Sequence, residues 1–320
     1  MAKRGVGFIR VAWMFVACVA ATALPGQQRQ PAMPKDVQVT KDIEYARVGE
    51  RSLKLDLYVP PHAKGTRVPL VVWVHGGAWQ SGSKDSAPAA GLNQRGIAVA
   101  SIAYRFSQEA TFPAQIHDCK AAVRWLRTHA GEYGLDGGRF GAWGASSGGH
   151  LVALLGTSGG VKELEGNVGG DLDASSRVQA VCDFFGPTDF LAMVGKASSI
   201  PHGAADSPES LLIGGAIAEH PGRVKQANPI TYVTKDAPPF LIVHGDSDPL
   251  VPPSQSQMLH DALKKAGADS TLYIVQGGSH GGFSDLRVPL MVLNFFSKHL
   301  KAAPATATAP ASAPAGDGHP

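Results

Sequence analysis

The stretch that most constrains the fold is Gly144-Ala145-Ser146-Ser147-Gly148. Glycines flank a serine where a strand and a helix must approach closely, and side chains at those two places would clash. Upstream, residues 139–143 read as the end of a buried strand. Downstream, residues 149–155 read as the start of a packed helix. The pattern predicts a sharp strand–turn–helix elbow with Ser146 at its tip, in a strained backbone conformation.

The segments around the elbow predict the rest of the sheet. Residues 37–46 and 52–59 alternate apolar and polar side chains on either side of Gly49, as in an antiparallel edge hairpin. Residues 69–74 form a valine-rich apolar run that suits a strand buried on both faces. Residues 96–104, 178–185, 240–243 and 270–275 read as further strands. Residues 87–94, 113–133, 254–266 and 286–300 read as helices. Residues 157–176 are rich in Gly, Asp and Glu and predict a long surface loop. Residues 187–228 are irregular, either a small cap or ordinary surface helices.

Strands that alternate with helices predict an α/β architecture: a mostly parallel, doubly wound sheet with antiparallel N-terminal edge strands and helices on both faces. In such sheets, functional groups gather at the carboxyl ends of the strands. The turn at Gly77, Ser146, Asp248 and His280 each follow a predicted strand.

The two ends of the chain read differently. A basic start and an apolar run over residues 11–24 suit a signal peptide spanning residues 1–23, with Ala21-Thr22-Ala23 as a cleavage site. Lipid attachment at Cys18 and an uncleaved anchor are the rival readings. A Pro/Gln linker over 24–36 leads into a single domain at 37–301. Residues 302–320 form a Pro/Ala-rich tail expected to be disordered. These ends predict an exported protein with no stable membrane insertion once the signal is removed. Loss of Lys3, Arg4 and Arg10 with the signal leaves basic and acidic residues balanced. No basic run points to nucleic acid or to an anionic membrane surface. Cys119 and Cys182 would then remain, either bridged or as buried thiols.

A serine hydroxyl is a poor nucleophile until a base takes its proton, and that base needs an orienting acid. Ser146, Asp248 and His280 stand in the chain order of the α/β-hydrolase catalytic triad. Backbone N–H groups of Gly77, Ala78 and Ser147 are the candidate donors to an oxyanion. Ser147 as nucleophile and Asp246 as acid are the alternatives within the same pattern. His75, His150 and His244 read as structural. Trp79, Phe184, Phe185 and Phe190 line a pocket or simply pack. Asp246 and Asp248 echo a calcium loop, but no further ligand spacing follows. No metal and no cofactor are expected.

His75-Gly76-Gly77-Ala78-Trp79 resembles the HGG-type oxyanion motif of carboxylesterases related to hormone-sensitive lipase. The stretch from Phe112 to Lys120, the elbow with His150, and Asp183-Phe184-Phe185-Gly186-Pro187-Thr188-Asp189 resemble bacterial feruloyl-esterase-like and acetyl-esterase-like α/β-hydrolases (the BD-FAE type). His244-Gly245-Asp246-Ser247-Asp248 with Val251-Pro252 matches the acid loop of that group, and the resemblance runs from about residue 39 to residue 300. It implies an α/β-hydrolase fold and a serine carboxylesterase acting on short acyl esters, including acetyl or feruloyl esters on plant polysaccharide. The expected partner is thus a small-molecule or polysaccharide-linked ester. Two residues depart from the family pattern. Ala78 stands where a third glycine is common, and Ser147 where an alanine is common. A prolyl-oligopeptidase-type peptidase shares the triad, but the chain has no room for the large propeller domain that selects peptides. A non-catalytic binding protein of this fold would normally lack a triad member.

Overall fold

The computed structural model describes residues 33–301, so the expected signal peptide, most of the linker and the tail lie outside the described residues. Strands β1 (Gln38–Val48) and β2 (Arg51–Val59) form the N-terminal hairpin, and Gly49 takes its left-handed turn position at φ 56°. Next come β3 (Val68–Val74), helix α1 (Ala89–Asn93), β4 (Ala98–Ile102) and α2 (Ala114–Thr128). The chain continues through β5 (Leu135–Ala145), α3 (Ser147–Thr157), α4 (Lys162–Glu165) and β6 (Ala180–Phe184). Two short helices, α5 (Pro208–Ile213) and α6 (Pro221–Ala227), precede β7 (Phe240–Gly245), α7 (Ser254–Ala266), β8 (Ser270–Val275) and α8 (Arg287–His299).

The eight strands form one sheet in the order β1-β2-β4-β3-β5-β6-β7-β8. β1 pairs antiparallel with β2, and β2 with β4. Every pairing from β4 through β8 is parallel. All the carboxyl ends of β3 to β8 therefore open on one edge.

The valine-rich runs divide their side chains between two cores, because successive residues in a strand point to opposite faces. Leu70, Val72 and Val74 face α2, α3 and α7, while Val71 faces α1 and α8. In β7, Phe240 and Ile242 join the first core, and Leu241 and Val243 the second. Burying each such side chain contributes about 1.5–3 kcal/mol relative to exposure.

The same alternation decides the cysteines. Cys119 on α2 belongs to the first core and Cys182 on β6 to the second, so the sheet stands between them. Both are buried free thiols.

Two stretches differ from their composition. Residues 157–176 are not simply a surface loop. They carry α4, and Glu165 there receives the buried cations of α2: Lys120 Nζ at 2.8 Å and Arg124 Nη1 at 3.2 Å. Residues 187–228 form short helical turns whose Phe190, Met193, Leu212, Ile213, Ile217 and Val224 join the first core. The α2 helix stops at Thr128, short of residue 133, where the chain turns through Gly131 and Gly134.

Candidate active site

The elbow forms as its glycines require. Ser146 has φ 58° and ψ −123°, directly before α3. A Cβ on Gly144 would come within 2.2 Å of the Gly148 carbonyl oxygen, and one on Gly148 within 2.1 Å of the Val74 oxygen. The Ser146 N–H donates to the Phe184 carbonyl at 2.8 Å, which ties the elbow to the end of β6. Ser146 itself is half-buried and reachable. Ser147 is 1% exposed and its hydroxyl oxygen is buried, whereas Ser146 is partly open to solvent.

After β7, the Asp248 carboxylate is held from four sides. Oδ1 accepts from the N–H groups of Leu250 and Val251 at 2.8 and 3.0 Å. Oδ2 lies 2.7 Å from His280 Nδ1 and 3.2 Å from His244 Nε2. Burial alone would raise its pKa. The hydrogen bonds from His244, His280 and the Val251 N–H outweigh that and hold the carboxyl well below the usual range. Asp246 is exposed and spent elsewhere, its Oδ1 accepting from the Gly277 N–H at 2.8 Å and the Ser247 hydroxyl at 3.0 Å. His280 thus pairs with Asp248 and not with Asp246.

His280 also packs on Phe185, ring centroids 4.5 Å apart. Phe185 directly follows Phe184, whose carbonyl receives the Ser146 N–H. The structure forms the Asp248–His280 hydrogen bond and no hydrogen bond between Ser146 and His280. Contacts of that kind commonly tighten only when substrate binds.

The turn after β3 carries the third component. Gly77, Ala78 and Trp79 have φ of 123°, 56° and 57°. The left-handed region costs an L-residue about 1–2 kcal/mol, so Ala78 and Trp79 must be held there by their surroundings. The Gly77 carbonyl accepts from the N–H groups of Gln80 and Ser81, both at 3.0 Å. The N–H groups of Gly77, Ala78 and Ser147 have no acceptor among the described residues. His75 is buried and stacks on Tyr104 with centroids 4.6 Å apart. Its Nδ1 lies 2.8 Å from the Gly76 carbonyl, and burial lowers its pKa. It therefore shapes the turn.

Several roles escape a linear reading. His244 fills the core and also reaches Asp248; the four-residue spacing was the only signal in the sequence. Trp79 and Phe190 are core residues at 1% and 0% exposure, and only Phe184 of the four flagged aromatics is half-buried. Asp183 is fully buried beside Gly149, accepts from the Gly186 N–H at 3.0 Å, and is pushed by burial up to about 7. Among the described residues no cluster of His, Cys, Asp and Glu is arranged to hold a metal ion, and no helix is long and apolar enough to cross a membrane.

An open, mostly parallel sheet with a serine elbow, an acid loop and a histidine loop on one edge defines an α/β-hydrolase. The match is specific. The BD-FAE family model covers residues 55–263, and the chain belongs to that family. Esterase LipQ of Mycobacterium tuberculosis is 33% identical over 264 residues, 81% of this chain and 60% of LipQ. The chain thus spans about three fifths of that curated relative's length. A truncated carbohydrate esterase from gut microbiota superposes with a TM-score of 0.74 at 37% identity, covering 82% of this chain and 96% of that one. A propionate-bound structure of esterase Est2 from Thermogutta terrifontis gives 0.67 at 28% identity, covering 84% and 95%.

Proposed function

We propose that the chain is a serine carboxylic ester hydrolase working through an acyl-enzyme. Ser146 Oγ attacks the ester carbonyl while His280 Nε2 takes its proton. Asp248 holds the His280 ring with Nδ1 as the protonated nitrogen and stabilises the imidazolium that forms. The N–H groups of Gly77, Ala78 and Ser147 receive the oxyanion, each such donor contributing about 3–4 kcal/mol to the transition state. His280 then returns the proton to the leaving alcohol, and water, activated by the same base, releases the acid.

The observation that carries this reading is the 2.7 Å Asp248–His280 pair on the sheet edge that also bears Ser146 and unpaired N–H groups. The substrates are short acyl esters, including acetyl or feruloyl groups on plant polysaccharide. The propionate in the Thermogutta esterase supports a short acyl group, and the carbohydrate esterase neighbour supports a sugar-linked alcohol. Export is part of the proposal and is supported by the sequence of residues 1–23.

Labelling with a fluorophosphonate, followed by peptide mass mapping, tests it. A stoichiometric adduct on Ser146, lost in Ser146→Ala, is expected. An unlabelled protein would make this a binding protein.

A further inference from the structure

Trp79 and His150 form a polar link between the two halves of the oxyanion site. The Trp79 indole Nε1–H donates to His150 Nδ1 at 3.2 Å, and His150 Nε2–H donates to the Ala227 carbonyl at 2.8 Å. The two bonds fix one neutral tautomer, because a carbonyl can only accept and an indole N–H can only donate. Both residues are buried, at 1% and 0% exposure. Burial keeps the ring neutral, with its pKa lowered to about 4. The rings meet edge to face at 5.2 Å, and Phe190 closes on Trp79 at 5.5 Å.

His150 lies on α3, one turn after Ser146, whose carbonyl accepts its backbone N–H at 3.0 Å. Trp79 ends the turn that carries Gly77 and Ala78, and its carbonyl accepts from the Ser107 N–H at 2.8 Å. Ala78 and Trp79 both stand in the left-handed region. Released, they would relax toward negative φ, and the peptide planes bearing the Gly77 and Ala78 N–H groups would rotate. A ring tethered at its Nε1 opposes that rotation.

We infer that His150 is a positioning residue, acting through the Trp79 indole to hold the oxyanion donors of the β3 turn in register with the Ser147 N–H. The inference rests on the esterase reading above. It also gives residues 187–228 a part in catalysis, since Ala227 at the end of α6 orients the His150 ring.

The test uses the full chain and p-nitrophenyl acetate, with rates normalised to organophosphate-titratable sites. Trp79→Phe keeps an aromatic ring and removes the N–H. His150→Gln removes the acceptor at the Nδ1 position, and His150→Asn restores it. Trp79→Phe and His150→Gln are expected to lower kcat about 30-fold with KM within about 3-fold, a smaller loss than removal of an oxyanion donor outright. The Ki of a trifluoromethyl ketone, which forms an oxyanion on Ser146, should rise by the same factor. His150→Asn should keep at least about a third of kcat. A Trp79→Phe enzyme with unchanged kcat and Ki overturns the inference. So do equal kcat values for His150→Gln and His150→Asn, the comparison that decides if Trp79→Phe does not fold. A wild type that hydrolyses nothing would instead overturn the esterase reading.

Discussion

Replacing Asp248 by asparagine exchanges one oxygen for an NH2 group in a site that offers only donors. Three N–H groups donate to the carboxylate, those of Leu250, Val251 and His280, and His244 Nε2, which lies 2.9 Å from the Val251 carbonyl, also approaches it at 3.2 Å. If the amide keeps its oxygen toward the two backbone donors, its NH2 faces both imidazoles. His280 must then present a bare Nδ1 and carry its proton on Nε2, where it cannot accept from Ser146. An acid-to-amide change that imposes the wrong tautomer lowers kcat by about 10⁴, which is about 5.5 kcal/mol at 1.36 kcal/mol per tenfold. KM should move by less than about 3-fold, because ground-state binding does not use the tautomer. Asp246→Asn is the matched control. The Asp246 carboxylate accepts from Gly277 and Ser247 alone among the described residues, so the rate of this variant should stay within about 2-fold of wild type. Initial rates across a substrate series at pH 7.5 decide it. If Asp248→Asn retains a tenth of the wild-type kcat, or if Asp246→Asn is the crippled variant, the assignment of the acid is refuted.

Three further outcomes follow from the same structure. His150 takes a proton more readily unfolded than folded, because burial lowers its folded pKa to about 4. Its contribution to stability is therefore full above about pH 6.5 and is lost as pH falls toward 4, by about 3 kcal/mol at 1.36 kcal/mol per unit. Urea unfolding at pH 7 and pH 4.5 should show a steeper loss in wild type than in His150→Asn. Glu165→Ala strips the counterion from buried Lys120 and Arg124; it should cost about 3 kcal/mol of stability by thermal unfolding and leave the turnover of folded enzyme intact. Because the sheet separates Cys119 from Cys182, both should alkylate in denaturant without reductant, and reductant should leave Tm unchanged.

The parts of the fold visible in the sequence were those governed by local chemistry. The valine-rich run at 69–74 suits burial on both faces, and the Gly144–Gly148 spacing points to an elbow once a strand precedes it and a helix follows. Chain order alone brought Ser146, Asp248 and His280 to one edge, since each follows a parallel strand. Distance in sequence hid the rest. Lys120 and Glu165 lie 45 residues apart, so an acidic, glycine-rich segment read as a solvated loop when it caps a buried cation pair. The Trp79–His150 bond spans 71 residues, and neither residue carries a local sign of it. Residues 187–228 lack the periodicity of a long helix. Their apolar side chains enter the core from short turns, where pattern and burial decouple.

The proposed mechanism stands or falls on Ser146 as the activated nucleophile of an ester hydrolase. Initial rates on p-nitrophenyl acetate for wild type, Ser146→Ala and Ser147→Ala test it most directly. Activity should vanish in Ser146→Ala and persist in Ser147→Ala, whose backbone N–H is unchanged. An inactive wild type, or a Ser146→Ala protein that keeps its rate, would contradict it.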